Sequence, residues 1–553
     1  MRTSGTSFAI GAALLAAATM LCSGQGSGMA WAGTDVTTYH MDTLRTGWND
    51  SESVLTPETV AGAGFGVLSQ VTLDGQVDAQ PLVVRNETIA GKGPREIVYI
   101  ATEANTVYAI DADSGEIVLR ANFGAPVPIS LLPGKCQNNS NIVGISSTPV
   151  IDLVHRTLYV VTYTLEDGGP VYRLHALDLA NLRDRRPSVE IKATVRATPG
   201  QPVVFDAATN RQRSALLLAD GNVYVAFASF CDLKTNATRG WVLGWRQNSL
   251  RPLPSRPLVD RKAAGAHAWF MSSIWMSGSG PAADARGRIY VVTGNSDPAV
   301  PPTGEREMSE SVVALSGDLR LVSEYFTPKN RDHLNAADLD FGSGGVMLLP
   351  DQPGPVPHLA TADGKDGLLY LLDRDRMGGY TPNGPDKVVG IYDGGRCFCV
   401  QSYFTGIDGV NRLVTSGEAN VKVWKIVTSP AVRLELEITS PTVHSGQMRG
   451  FMNMVSSNES AGAIIWAVAH PLESDPARTV MLQAFNATNG TRLADLPSGT
   501  WPNLTATANI MPVVANGKVF VASYRNLSIF GLKAPPKQVA SGDAGITAAA
   551  PAD

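Results

Sequence analysis

Two acidic residues one apart, Asp338 and Asp340, with Lys365 and Asp366 further along, form the first group in the chain whose types suggest chemistry. Paired carboxylates bind calcium, or one takes a proton while a neighbouring charge tunes it. Asp-x-Asp is also a common way to end a strand, and no third and fourth oxygen ligand follows at a fixed spacing, so no metal is assigned. Cys397 and Cys399 read either as a local disulfide or redox pair, or as two half-buried strand residues, and the second is the expectation. Cys136 and Cys231 lie in loop-like stretches, LLPGKCQNNS and ASFCDLKTNA. The cysteine spacing fits neither a zinc ribbon nor a haem-attachment Cys-x-x-Cys-His. The 8 histidines contain no His-x-x-x-His or His-Glu-x-x-His pair, so no zinc enzyme is indicated. Tyr39, His40, Arg45 and Trp48 cluster near the start, where they are expected to pin an N-terminal arm. With no Gly-x-Ser-x-Gly elbow, phosphate loop or dinucleotide fingerprint, a hydrolase of that type, a nucleotidase or a nicotinamide enzyme has no local support.

The elements that must hold these residues are short strands. Only 17% of the 553 residues are charged, while 54 Gly and 35 Pro supply many tight turns. The formal net charge of −5, with no long Lys/Arg run, speaks against nucleic acid as a partner. Arg2, the apolar residues 9–21 and the small-x-small Ala30-Trp31-Ala32 read as a signal peptide over 1–32, so a periplasmic or secreted protein is expected. No later run approaches twenty apolar residues, and no transmembrane segment is expected in the mature chain.

The stretch IVYIATEANTVYAIDADSGEIVLRANF, residues 97–123, alternates apolar and polar positions around two turns and reads as three antiparallel strands. Its first strand recurs as TLYVVT, NVYVAF, RIYVVT, PHLATA, RLVTS, IIWAVA and KVFVAS, centred on Tyr99, Tyr159, Tyr224, Tyr290, Leu359, Leu413, Trp466 and Phe520, about 60 residues apart. An all-β, single eight-bladed β-propeller of four-stranded antiparallel blades follows. The last unit lacks a fourth strand, and the isolated stretch GVLSQVTLD, residues 66–74, is expected to complete it and close the ring. The resulting division is a 1–32 leader, a 33–65 arm, a 66–533 propeller and a disordered 534–553 tail.

A ring brings the starts of its innermost strands to one channel mouth, the natural place for a ligand. The alignment of repeats puts Gln80, Ser147, Trp275, Asp340 and Arg449 there, as a candidate site for a small polar ligand. The same alignment puts Cys136 and Cys231 in neighbouring loops, and a disulfide linking blades two and three is expected in an oxidising compartment.

The run VYAIDADSGEIVL resembles the repeat of the quinoprotein-type (pyrroloquinoline-quinone-like) β-propellers, and IWMSGSGPAAD, GKDGLLYLLDRD and VANGKVFVASYRNLSIFGL resemble its exported bacterial members. For dehydrogenases of that group, the resemblance implies a docking Trp after the Gly turn, adjacent cysteines against the quinone, and a calcium site of Asp, Glu and Asn. Here Leu119 stands at the docking position of the first repeat, and Phe398 separates the two cysteines. The expectation is therefore a binding or protein-interaction module, presenting a loop-rich face to an envelope protein or polymer. The alternative is a PQQ-dependent oxidoreductase of alcohols or sugars, with calcium as the implied ion and Asp340 as base.

Overall fold

Eight antiparallel sheets follow one another along the chain, each beginning with a short buried strand and ending on an exposed one. The computed structural model describes residues 33–533 except 90, 137–139, 197–201, 232–237, 239, 254–255, 258–271, 297–307, 447–449 and 504–508. The expected 1–32 leader and 534–553 tail lie outside the described residues. The innermost strands are Leu82–Ile89, Val150–Asp152, Asn210–Gln212 (continued by Leu217–Ala219), Ala282–Ala283, Val346–Leu348, Ser402–Thr405, Asn453–Asn458 and Val513–Ala515. The result is the expected eight-bladed propeller.

The expected strand 66–74 is Phe65–Gln76, and it pairs antiparallel with Tyr524–Leu532 in the eighth blade. Chain start and chain end thus share one sheet, and the ring closes with no gap between first and last blades. Alternation of apolar and polar positions is the pattern of a half-buried strand, but here the central part of each blade's second strand is covered on both faces; Asn222–Ser229 is buried at every position. The reason is that each blade is packed between two others. Rings fill the space between the second and third blades: Tyr163 stacks at 4.1 Å on its cross-strand partner Tyr172, and Tyr172 meets Phe227 of the third blade edge-on at 5.4 Å. Outer strands such as Ile117–Asn122 and Arg433–Thr439 face water and alternate. The fourth blade carries two additions not expected from the repeat: a helix, Arg331–Ala337, and a fifth strand, Gly379–Tyr380, parallel to Phe326–Thr327.

The arm does more than lie on a face. In the fourteen positions 36–49 it hydrogen-bonds to all eight blades, because every innermost strand has one unpaired edge. Val36 pairs with Val83, and Ile151 N donates to Thr37 O at 2.8 Å. Arg45 Nη2 reaches Leu216 O at 3.3 Å. Ala283 N, Leu348 N, Tyr403 N and Val455 N donate in turn to Thr43, Leu44, Thr46 and Gly47 carbonyls at 2.7–2.9 Å. Asn49 Nδ2 donates to Val514 O at 2.9 Å. The arm therefore makes one circuit of the axis and closes the inside of the ring at that level. Tyr39, His40 and Arg45 are each at most 3% exposed. Gly47, at φ 61°, lies so close to the His40 ring that a Cβ there would fall 2.1 Å from Nε2, which is why only glycine serves.

Candidate functional site

In the fourth and fifth blades the segment leading into the innermost strand makes a short turn, and the residue that opens each turn contributes a side chain to one group, called the cup below. In the fourth blade that residue is Trp275, half-buried, entering the short turn Met276–Gly278. In the fifth it is Asp340, held by the turn Phe341–Ser343 after Asp338 ends the helix in a left-handed conformation, φ 53°. Both side chains pack on Gly294: an added Cβ would lie 2.6 Å from Asp340 Oδ1 and 3.4 Å from Trp275 Nε1. Of the five residues that the alignment of repeats grouped, these two share a contact with one glycine.

Lys365 completes the group from the loop after the second strand of the fifth blade, Leu359–Ala362. Its Nζ is 2.6 Å from Asp340 Oδ2 and 3.3 Å from Asp338 Oδ1. It also lies 5.7 Å from the ring centroids of both Trp275 and Phe398. Asn295 N donates to Asp340 Oδ1 at 2.9 Å, and Asn295 Nδ2 donates to Asp338 Oδ1 at 2.7 Å. Burial raises the Asp340 carboxyl above its ordinary range, and the Lys365 ammonium pulls it back down. Burial would discharge Lys365, but the Asp340 and Asp338 carboxylates outweigh it and hold the amine protonated. Glu310, also buried, accepts from Phe341 N at 2.6 Å through Oε2, while its Oε1 has no hydrogen-bond partner. Burial first, then the charge of Asp340, pushes the Glu310 carboxyl well up.

The sixth blade supplies Phe398, whose ring is 5.7 Å from that of Trp275 at 49°. The two flanking cysteines, expected to be separate half-buried residues, are instead fully buried and joined, Cys397 to Cys399. The bond holds Phe398 over the cup, and Ser343 Oγ donates to Cys397 O at 2.8 Å from the fifth blade. Asp363 lies against the pair: among the described residues, Asp363, Cys397 and Cys399 are the one group of three potential metal ligands within 4.8 Å of each other. Its sulfurs are engaged in the disulfide. Gln401 Nε2 donates to Asp363 Oδ1 at 2.5 Å, and burial pushes the Asp363 carboxyl well above the usual range.

The remaining sequence candidates have other surroundings. Gln80 is spent on the arm, accepting from His40 N at 2.9 Å and donating to Thr38 O at 3.2 Å, so it anchors the floor of the cup. Ser147 is buried, with no hydrogen-bond partner at Oγ. Arg449 lies outside the described residues. Cys136 and Cys231 are joined across a sequence separation of 95. Asn295, Glu310, Phe398 and Asp363 were missed by sequence reasoning. Asn295 and Asp363 did leave a signal, since each falls four or five positions past a repeat marker, Tyr290 or Leu359. The loop after the second strand folds onto the next blade in the first unit too, where Glu103 accepts from Gly144 N at 2.6 Å and Ser146 Oγ at 2.7 Å.

No family model matches the chain, and no curated protein matches it in sequence. Solved structures match it in fold. The quinohemoprotein alcohol dehydrogenase of Comamonas testosteroni superposes with a TM-score of 0.60 at 16% identity, over 91% of this chain and 81% of that one. The quinohemoprotein alcohol dehydrogenase ADHIIG of Pseudomonas putida HK5 gives 0.58 at 14%, over 94% and 82%. A europium-containing methanol dehydrogenase gives 0.57 at 12%, over 90% and 98%. At such identities the likeness is one of propeller fold.

Proposed function

We propose that the protein is an oxidoreductase of alcohols that uses a quinone of the pyrroloquinoline type, with the cup as its site. The observation that carries this reading is the buried Asp340 carboxylate, with the Lys365 ammonium at 2.6 Å and the Trp275 indole packed on the same glycine. A buried carboxylate set against a charged partner and an aromatic plane is the kind of group on which acid–base chemistry is built.

The residues fit the group chemically. Trp275 offers an aromatic plane, Lys365 a cation for a quinone oxygen, and two buried acceptors, Asn295 Oδ1 and Glu310 Oε1, have no hydrogen-bond partner. Together with Asp340 these are the Asp, Glu and Asn oxygens that a hard cation such as calcium takes. A bound quinone would supply a two-electron acceptor, becoming quinol as the alcohol becomes a carbonyl compound. The chain's own part is acid–base and positional. Asp340 accepts the hydroxyl proton, Lys365 keeps it ionised and ready to do so, and the disulfide-held Phe398 covers the site against water.

A second reading, docking of an envelope protein or polymer, is favoured by large apolar side chains exposed at hairpin tips: Val154 is 87% and Ile407 79% exposed. A periplasmic or secreted location belongs to both readings, and two disulfides suit it. No helix among the described residues is long and apolar enough to cross a membrane.

Reconstitution separates the two. With pyrroloquinoline quinone and calcium added, the melting temperature should rise and a dye should be reduced in the presence of primary alcohols. Asp340→Asn should retain the thermal shift and lose at least a hundredfold in turnover. No thermal shift with the quinone, or equal turnover in the variant, overturns the oxidoreductase reading.

A further inference from the structure

A second charged group borders the cup, and the chemistry above does not use it. Arg211, in the innermost strand Asn210–Gln212 of the third blade, and Arg213, just beyond it, are only 8% and 7% exposed. Burial first and the neighbouring Arg211 second push the Arg213 guanidinium down to about 9, while Asp78 and Glu103 act in the opposite sense. Arg213 thus has acidic company. Arg211 differs: its Nε and Nη2 are buried and have no hydrogen-bond partner. Leaving donors of a charged group dry and unpaired is costly, so a partner that enters from solution is the physical expectation.

The identity of the two orphaned nitrogens narrows that partner. Nε and Nη2 form the side edge of the guanidinium, where two N–H bonds run parallel, and this edge matches two coplanar oxygens of one group. In the second blade Ser147 Oγ is also buried without a partner, and the link from Leu216 N to Thr148 O at 3.0 Å ties that segment to the third blade. With Arg213 compensated by its acids, one positive charge is left over, which suits a monoanion.

We propose that Arg211, backed by Arg213, binds the carboxylate of the substrate, so that the alcohols taken by this site are hydroxy acids. The fourth blade, with Trp275, stands between the arginines of the third and the Asp340–Lys365 pair of the fifth. A hydroxy acid anchored at Arg211 would lie along the aromatic plane, with its hydroxyl toward the base. In naming a substrate the inference rests on the oxidoreductase reading, but the anion site itself does not.

The test uses the full mature chain, with and without added quinone and calcium, and three probes: mandelate, its neutral methyl ester and inorganic phosphate. Mandelate at millimolar concentration should raise the melting temperature in both forms, and the ester should not. Arg211→Gln should weaken mandelate binding at least tenfold. Because it removes a buried cation without a partner, it should melt no lower than the parent when no ligand is present. Arg211→Lys keeps the charge but not the parallel edge, and should weaken binding about as much. The proposal is overturned if mandelate stabilises Arg211→Gln as well as the parent, if phosphate stabilises more than mandelate, or if the mandelate shift vanishes once quinone is loaded, since the edge then belongs to the quinone's own carboxylates. Mandelate binding through Arg211 without dye reduction removes the oxidoreductase reading and leaves the anion site standing. Dye reduction with neutral alcohols and no preference for acids supports that reading and removes this one.

Discussion

Replacing His40 by glutamine should flatten the acid side of the stability profile by about 2.5 kcal/mol. The imidazole is 1% exposed, with Nδ1 2.7 Å from Arg45 O and Nε2 3.0 Å from Asn453 O. Burial is the largest influence on it and lowers its pKa from 6.5 to about 4; the two carbonyls oppose this and the nearby Arg45 charge adds to it. Above pH 6.5 the ring is neutral folded or unfolded, and its full contribution is present. As pH falls from 6.5 toward 4, the unfolded chain takes up a proton that the folded one refuses, so stability is lost across that window. At pH 4.5 the difference in proton uptake amounts to about 2.5 kcal/mol, against about 0.2 at pH 7. Urea unfolding of parent and His40→Gln at the two pH values, followed by tryptophan fluorescence, isolates the term, since every other carboxylate and histidine is common to both. Parallel pH responses, within about 0.5 kcal/mol of each other, would refute the argument that this ring is held neutral inside the arm's circuit.

Lys365→Met should move the acid limb of alcohol oxidation to higher pH, because Asp340 would keep the upward push of burial and lose the ammonium that opposes it; a pH–rate profile with the limb unmoved would count against Asp340 as base. Gly47→Ala should destabilise by about 2–4 kcal/mol, combining a left-handed backbone at φ 61° with a Cβ inside the His40 ring, and thermal melting reads it directly. Converting both Cys136 and Cys231 to serine opens a loop of sequence separation 95, for a loss of about 4 kcal/mol in denaturant unfolding.

The fold was readable because it is a repeat. Turn residues and the aromatic marker recur with each blade, and the missing fourth strand of the last unit pointed to residues 66–74 on counting alone. Burial was read less well. Alternation over Asn222–Ser229 looks like one covered face, yet a strand inside a ring of sheets is covered on both, which a period of two does not reveal. Half of the candidate site was legible for the same reason as the fold: Trp275 and Asp340 stand at equivalent places in successive units. Lys365 was visible only as a neighbour in sequence, and its bond to Asp340 depends on how the loop after the second strand folds back. Cys397 and Cys399 were misjudged because one intervening residue leaves both packing and bonding open until the backbone is placed. Gln80 carries the right address and a different employment, since nothing in the repeat tells that a non-repeating arm will occupy the channel beside it.

That arm also sets the order in which the molecule can be finished. Residues 36–49 precede all eight blades along the chain, yet their hydrogen-bond partners are spread from Val83 to Val514, and the strand Phe65–Gln76 pairs with Tyr524–Leu532. No partial chain can seat the whole segment. It stays without a full set of partners until the last blade has been made, so a segment early in the chain is among the last to lock. Such long-range pairing slows folding relative to local pairing. It also makes the final step all-or-none: a chain truncated before residue 513 loses an inner strand, the sheet partner of its own beginning and the end of the arm's circuit together.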